Sequence, residues 1–196
     1  MSGTPAWFSL TPIAEEIMER HPGYRVEIIG GHLLVTPVPD APHARVLSKI
    51  MVLLFRGELH RRETLVAQKI AIRLPTGPED YAVPDLVVVD EDIEDHYAEN
   101  NTYHPACFRL VLEVTSENWK DDLGTKVNAY AQAGVPVYVV VDRTHRRLHL
   151  FTDPAEGQYA HHHVHSPGEL VVLPDSIGAK VTLDVAAIIE AGRPRR

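Results

Sequence analysis

A single cysteine, Cys107, cannot close an intramolecular disulfide, so the fold must be held by packing, and a reducing compartment fits. No apolar run approaches the roughly 20 residues that a membrane helix needs. The stretch Met1 to Leu10 lacks both a basic segment and a long apolar core, so no secretory signal is expected and a cytoplasmic location is. Basic residues are also short: 19 Lys and Arg face 27 Asp and Glu, for a net charge of −8. At first sight this argues against a nucleic-acid partner, because such affinity leans on cations at phosphates. What is present is a globular mixture, 44% hydrophobic and 23% charged over 196 residues. That composition excludes a disordered, fibrous or disulfide-stapled chain. No repeat or low-complexity segment interrupts it, and residues 1–196 read as a single domain.

Thr11-Pro12 offers a capping hydroxyl followed by proline, and Ile13 and Ile17 suggest a short helix to about Arg20. Extended runs at Tyr24–Ile29 and His32–Pro37 flank Gly30-Gly31, a two-residue hairpin signal. Val46, Ile50, Leu53 and Leu54 recur at helical spacing and predict a helix from about Ala41 to His60. From Thr64 to Leu74 the apolar period is two, broken by Gln68, which predicts one strand. Leu86–Val89 and Leu110–Val114 are short, wholly apolar strands apart from Glu113, with a polar loop over 90–107 between them. A helix is expected from Asp121 to Ala133, ended by Gly134, and strands at Val137–Val141 and Arg147–Phe151 follow. Beyond them come strands near Tyr159–His165 and Glu169–Leu173 and a closing helix, Asp184–Ala191, with a frayed Arg193–Arg196 tail. The expected class is α/β or α+β, a mixed sheet flanked by helices. Its core spans about 24–151, with an N-terminal helix and hairpin before it and a β-rich extension over 152–196.

Two carboxylates stand where plain structure would not put them. Asp85 opens an apolar strand, and Glu113 interrupts another, where an unpaired charge costs several kcal/mol. If these strands are antiparallel neighbours, the two carboxylates meet at one end of the sheet. Oxygen ligands converging from rigid elements suit a hard divalent cation. Lys126 lies 13 residues after Glu113 on the next helix, where its stem can swing back to orient a water and offset charge on a phosphate. Asp122, at i−4, shares its face and can pair with it. Against this stand the ordinary roles of each residue: an edge-strand glutamate, a turn aspartate, a solvated lysine. His161-His162-His163-x-His165 invites a zinc reading, but it has no partnering cysteine, and an exposed strand face accounts for it. Trp119 reads as a packing residue that could also stack on a base.

Several runs together resemble a known family. They are Pro84-Asp85-Leu-Val-Val-Val, Leu-Val-Leu-Glu113-Val-Thr-Ser116, Asp122-x-x-x-Lys126-x-x-x-Tyr130-x-x-x-Gly134-Val135 and Tyr138-x-Val-Val-Asp142. With Tyr24-Arg-Val-Glu27-Ile-Ile-Gly30-Gly31 and His43 upstream, they resemble the Uma-two restriction endonucleases of the PD-(D/E)XK nuclease superfamily, from about Tyr24 to Phe151. The resemblance implies a restriction-endonuclease-like core and Mg²⁺-dependent endonuclease cleavage of DNA phosphodiesters, with Mn²⁺ as a substitute. Asp85 and Glu113 become the metal ligands, with the backbone carbonyl of Val114 as a further one. The lysine expected two residues after the glutamate is Thr115 here, and the resemblance suggests that Lys126 takes its catalytic place. Glu27 resembles an additional acidic ligand. His43 could act on water or phosphate, and Gln68 could face the same cleft; a surface carboxylate, a capping histidine and a satisfied core amide are the plain alternatives. The superfamily implies a homodimer. The competing reading is a catalytically silent nuclease fold kept as a binding or assembly module.

The charge then reads differently. Residues 79–122 hold 13 acidic residues and 2 basic ones, Arg109 and Lys120, so the acidity surrounds the proposed ligands. Arg45, Lys49, Arg56, Arg61, Arg62, Lys69 and Arg73 leave a modestly basic helix and strand for phosphates. DNA is therefore admitted as a partner, with weak, salt-sensitive binding without metal.

Overall fold

The runs richest in valine and leucine lie side by side at the centre of a six-stranded sheet. The computed structural model describes residues 9–57, 59, 63–115 and 119–194. Helix α1 (Thr11–Arg20) leads into the hairpin of β1 (Arg25–Ile29) and β2 (His32–Thr36), and α2 (Ala41–Arg56) follows. Next come β3 (Thr64–Ala67), β4 (Ala71–Arg73), β5 (Tyr81–Ala82) and β6 (Leu86–Asp90). A short β7 (Thr102–Tyr103) precedes β8 (Phe108–Val114), and α3 (Trp119–Asp122) and α4 (Thr125–Gln132) connect it to β9 (Val137–Asp142). The chain closes with β10 (Arg147–Ala155), β11 (Gln158–His165), β12 (Leu170–Val172), β13 (Thr182–Asp184) and α5 (Val185–Ala191).

The main sheet runs β11-β10-β9-β8-β6-β3 and a second runs β2-β1-β5-β4-β7. In the main sheet only β8 and β9 are parallel, and such a pair needs a crossover, here α3 and α4. Its central strands are buried on both faces, which is why they read as unbroken apolar runs. Leu86, Val88, Leu110, Leu112, Val139 and Val141 pack under α2, α5 and the β12–β13 hairpin. Val87, Val89, Val111 and Val140 turn the other way, toward α4 and the second sheet. The architecture is mixed α/β, as expected. The 151/152 boundary falls inside β10, β11 belongs to the main sheet, and Leu183, Val185 and Ile188 fill the same core as α2.

Five local expectations change. The strand read across Thr64–Leu74 is two strands in two sheets: Lys69 adopts φ 56°, a left-handed conformation that ends the extended run after Ala67. The helix read from Asp121 to Ala133 is broken at Gly124, where a Cβ would lie 2.8 Å from the Lys120 carbonyl oxygen. Lys126 therefore sits in the first turn of α4, not the second turn of a longer helix. Thr11 does not cap α1, whose first residue it is; the Glu79 carboxylate accepts from the Leu10 and Thr11 amides at 2.8 and 3.3 Å instead. Finally, α2 ends at Arg56, and the loop over 90–107 contains β7 and two 3₁₀ turns. No helix among the described residues is long and apolar enough to cross a membrane.

The Gly30-Gly31 turn has φ of 60° and 71°, the twist a two-residue hairpin requires. Buried Asp80 pins it: its carboxylate accepts from the Gly30 and Gly31 amides at 2.6 and 3.3 Å and from the Thr76 hydroxyl at 2.6 Å. Asp80→Ala should therefore lower unfolding free energy by about 2–4 kcal/mol, because the turn loses three hydrogen bonds to a buried carboxylate. Urea denaturation measures this, and an unchanged midpoint contradicts it.

Candidate active site

Leu86 pairs with Leu112, so the next residues outward, Asp85 and Glu113, stand opposite one another at one end of the sheet. Both carboxylates share the parity of Val87 and Val111, so they point toward α4 and β1. Glu113 is fully buried. Its Oε1 accepts from Lys126 Nζ at 2.8 Å and from the Tyr130 hydroxyl at 3.1 Å. Asp85 Oδ2 accepts from the Val114 amide at 2.8 Å and faces His43 Nε2 at 2.9 Å. Glu27 arrives from the hairpin: its Oε1 accepts from the Val83 amide at 2.8 Å, and its Oε2 lies 3.1 Å from Lys126 Nζ. Asp122 Oδ1 lies 3.5 Å from the same ammonium. Lys126 is 2% exposed and is held among three carboxylates.

Sequence reasoning missed Arg25. Its Nη1 donates to Asp85 Oδ1 at 2.9 Å, to the Val83 carbonyl at 2.9 Å and to Glu113 Oε2 at 3.4 Å. The guanidinium thus bridges the two carboxylates proposed as ligands. The signal was present in the sequence, since Arg25 and Glu27 share one face of β1, but a cation at the open end of a hairpin reads as a surface residue. Tyr130, one turn after Lys126 in the same motif, also reaches Glu113 through its hydroxyl.

Four buried carboxylates therefore face two cations, Lys126 buried and Arg25 half-buried. Burial pushes the Glu113 carboxyl up from an ordinary 4.5 to about 8, although Lys126 and Arg25 pull it down. Burial also raises Asp122. For Asp85 burial acts upward as well, but the His43 hydrogen bond, the Arg25 charge and the Val114 amide outweigh it and hold the group well below the carboxylate range. Burial opposes the charge on Lys126, yet Glu113, Glu27 and Asp122 hold its pKa above the usual value.

A cavity of about 220 Å³ opens onto this cluster, lined by Arg25, His43, Lys69, Asp85, Val114 and Lys126 among others. Asp40 fixes its rim: it caps α2 by accepting from the His43 amide at 2.8 Å and takes a two-point clamp from Arg143, both contacts at 2.8 Å. Thr115 accepts from the Arg143 amide at 3.0 Å, so the position where the resemblance expects lysine holds a buried backbone brace.

A sequence profile described as "Putative restriction endonuclease", Uma2, matches residues 14–186. The chain belongs to the Uma2 family. In fold it is similar to a protein from Anabaena variabilis ATCC 29413 described as a putative nuclease belonging to DUF820: TM-score 0.68, 16% identity, over 86% of this chain and 91% of that one. None of the curated proteins matches it.

Of the residues singled out in this Uma2 chain, Asp85, Glu113, Val114, Lys126, Glu27, His43 and Asp122 come together. Gln68 does not; it sits exposed in the bend after β3, its amide 2.7 Å from Met51 Sδ, and Lys69 lines the cavity instead. His161, His163 and His165 share an exposed face, with His165 on Glu169 at 2.9 Å, and His162 stacks on Phe151 from the other side. No group of three His, Cys, Asp or Glu side chains among the described residues is arranged to hold a metal. Around Arg25 and Lys126, the carboxylates are occupied by those cations. Arg45 donates to the Ala191 carbonyl at 3.0 Å, and Arg73 pairs with Glu99 at 2.9 Å. Arg61, Arg62, Ser116 and the Trp119 side chain lie outside the described residues.

The raised carboxyls give stability a sign. A folded pKa above the unfolded one means that the folded state binds the proton more tightly. Glu113 therefore stabilises fully below about 4.5, and that contribution is lost as pH rises through about 8. Asp122 acts in the same sense, while depressed Asp85 matters only in acid. In EDTA, the urea midpoint should fall between about pH 5 and about pH 8.5, and Glu113→Gln should flatten the fall. A midpoint that rises over this range contradicts the assignment.

Proposed function

We propose that this Uma2 chain is a metal-dependent endonuclease that hydrolyses DNA phosphodiester bonds, with Mg²⁺ as its cation and Mn²⁺ as a substitute. The observation that carries the reading is the convergence of Asp85 and Glu113 at one end of adjacent strands, with Lys126 Nζ 2.8 Å from the glutamate and with Asp85 and Lys126 lining an open cavity. The donor set fits a hard cation: two carboxylates and the carbonyl of Val114, which lines the same cavity. Glu27 Oε2 adds a further buried oxygen beside the pair, held 3.1 Å from Lys126 Nζ.

Asp85, Glu113 and Val114 would hold the cation, which supplies a lowered water pKa and charge neutralisation at phosphate. The chain's own residues do the rest. Lys126, fixed by three carboxylates, keeps its proton and presents positive charge beside the attacking water and the phosphate. His43 holds Asp85 through Oδ2, which makes it a positioning residue. Tyr130 stays protonated, as burial and Glu113 dictate, and donates to Glu113 to fix its carboxylate. Cleavage of both strands calls for a homodimer. Burial raises the Cys107 thiol to about 11, which makes it inert and suits a cytoplasmic location.

One observation favours the alternative, a silent binding module: Arg25 already bridges the two acids. A plasmid nicking assay separates the readings. Wild type should nick with Mg²⁺ or Mn²⁺, and Asp85→Ala and Glu113→Ala should lose at least about 100-fold of that activity while circular dichroism stays native. Lys126→Ala should lose a similar factor. Full activity in Glu113→Ala sinks the assignment, and an inactive wild type that still binds DNA favours the module.

A further inference from the structure

Of the two cations that hold the carboxylates, Arg25 is the more open to space. Lys126 sits under the carboxylates with 2% exposure, whereas the Arg25 side chain is 20% exposed. Arg25 lines the cavity above the acids and a second one of about 990 Å³ beside it, and Gly23 and Lys69 are common to both. Its hold on the acids is lopsided. Nη1 makes every hydrogen bond, to Val83, Asp85 and Glu113, while the buried Nε makes none and is 3.6 Å from Glu27 Oε2. A guanidinium anchored by one nitrogen can leave by side-chain rotation without disturbing β1. That nitrogen lies between Asp85 Oδ1 and Glu113 Oε2, the two carboxylates that would hold a shared cation. A guanidinium and a divalent cation cannot both occupy that gap.

We propose that Arg25 is the phosphate-binding arginine of this site, masked on its own carboxylates until a divalent cation takes its place. The inference rests on the nuclease reading above and adds a coupling to it. Entry of the cation releases a planar fork of donors into the cavity beside Lys69, where a phosphodiester is held by two points. Until then the guanidinium keeps Asp85 and Glu113 from repelling one another. Cation binding and phosphate binding are thereby linked, each favouring the other.

Two titrations test the coupling. Calorimetry with Mg²⁺ and Mn²⁺ compares wild type with Arg25→Ala, and the variant should bind on the order of tenfold more tightly, because its competitor is gone. Anisotropy of a labelled DNA duplex, with Ca²⁺ as a hard oxygen-seeking cation, reads the second half. Ca²⁺ should tighten duplex binding by wild type, and that gain should vanish in Arg25→Ala. A merely structural arginine would leave the gain in place. If the alanine variant does not fold, Arg25→Gln is read the same way. Equal or weaker cation binding by the variant, or an undiminished Ca²⁺ gain, overturns the inference. Failure of wild type to bind either cation overturns the nuclease reading instead.

Discussion

Everything at the working end of this molecule depends on four carboxylates buried around two cations. Glu27, Asp85, Glu113 and Asp122 could not share so small a volume unpaired, since desolvating even one ionised carboxylate costs several kcal/mol. Lys126 and Arg25 make the cluster tolerable, and burial settles the remainder by raising the pKa of Glu113 and Asp122. The two cations differ in kind. Lys126 is enclosed and contacts three carboxylates, so it is part of the frame. Arg25 faces a cavity and spans the gap between two acids from different strands.

The fold places these groups with little freedom. A six-stranded sheet buried on both faces fixes Asp85 against Glu113 through the β6–β8 register. The parallel β8–β9 pair forces a crossover, and the break at Gly124 starts α4 where its first turn delivers Lys126 to the end of β8. The second sheet, pinned through Asp80, presents Arg25 and Glu27 from the opposite side. Three separate layers therefore converge on one spot, and the Arg143–Asp40 clamp closes α2 and His43 over it.

How much of this was legible depended on whether the signal was local. A charge inside an apolar strand is visible without a structure, so Asp85 and Glu113 announced themselves, and Lys126 followed from its spacing and from the family resemblance. The hairpin at Gly30-Gly31 was equally plain, because only positive φ suits that turn. What failed to show was long-range. Alternating residues from Thr64 to Leu74 look like one strand, and nothing in the period reveals that the Lys69 backbone sends the two halves into different sheets. Glu79 caps a helix 68 and 69 residues away, which no local capping rule finds. Arg25 was hidden for the same reason: its partners are 60 and 88 residues distant. Gln68 misled by breaking an apolar face, although the break marked a turn.

Whether Asp85 and Glu113 form a cation site that Arg25 fills when no metal is bound is read directly by anomalous diffraction from crystals grown with Mn²⁺. One strong peak is expected between Asp85 Oδ1 and Glu113 Oε2, with the Arg25 guanidinium swung toward Lys69. A peak elsewhere, or Arg25 still bridging the two carboxylates at saturating Mn²⁺, would contradict that assignment.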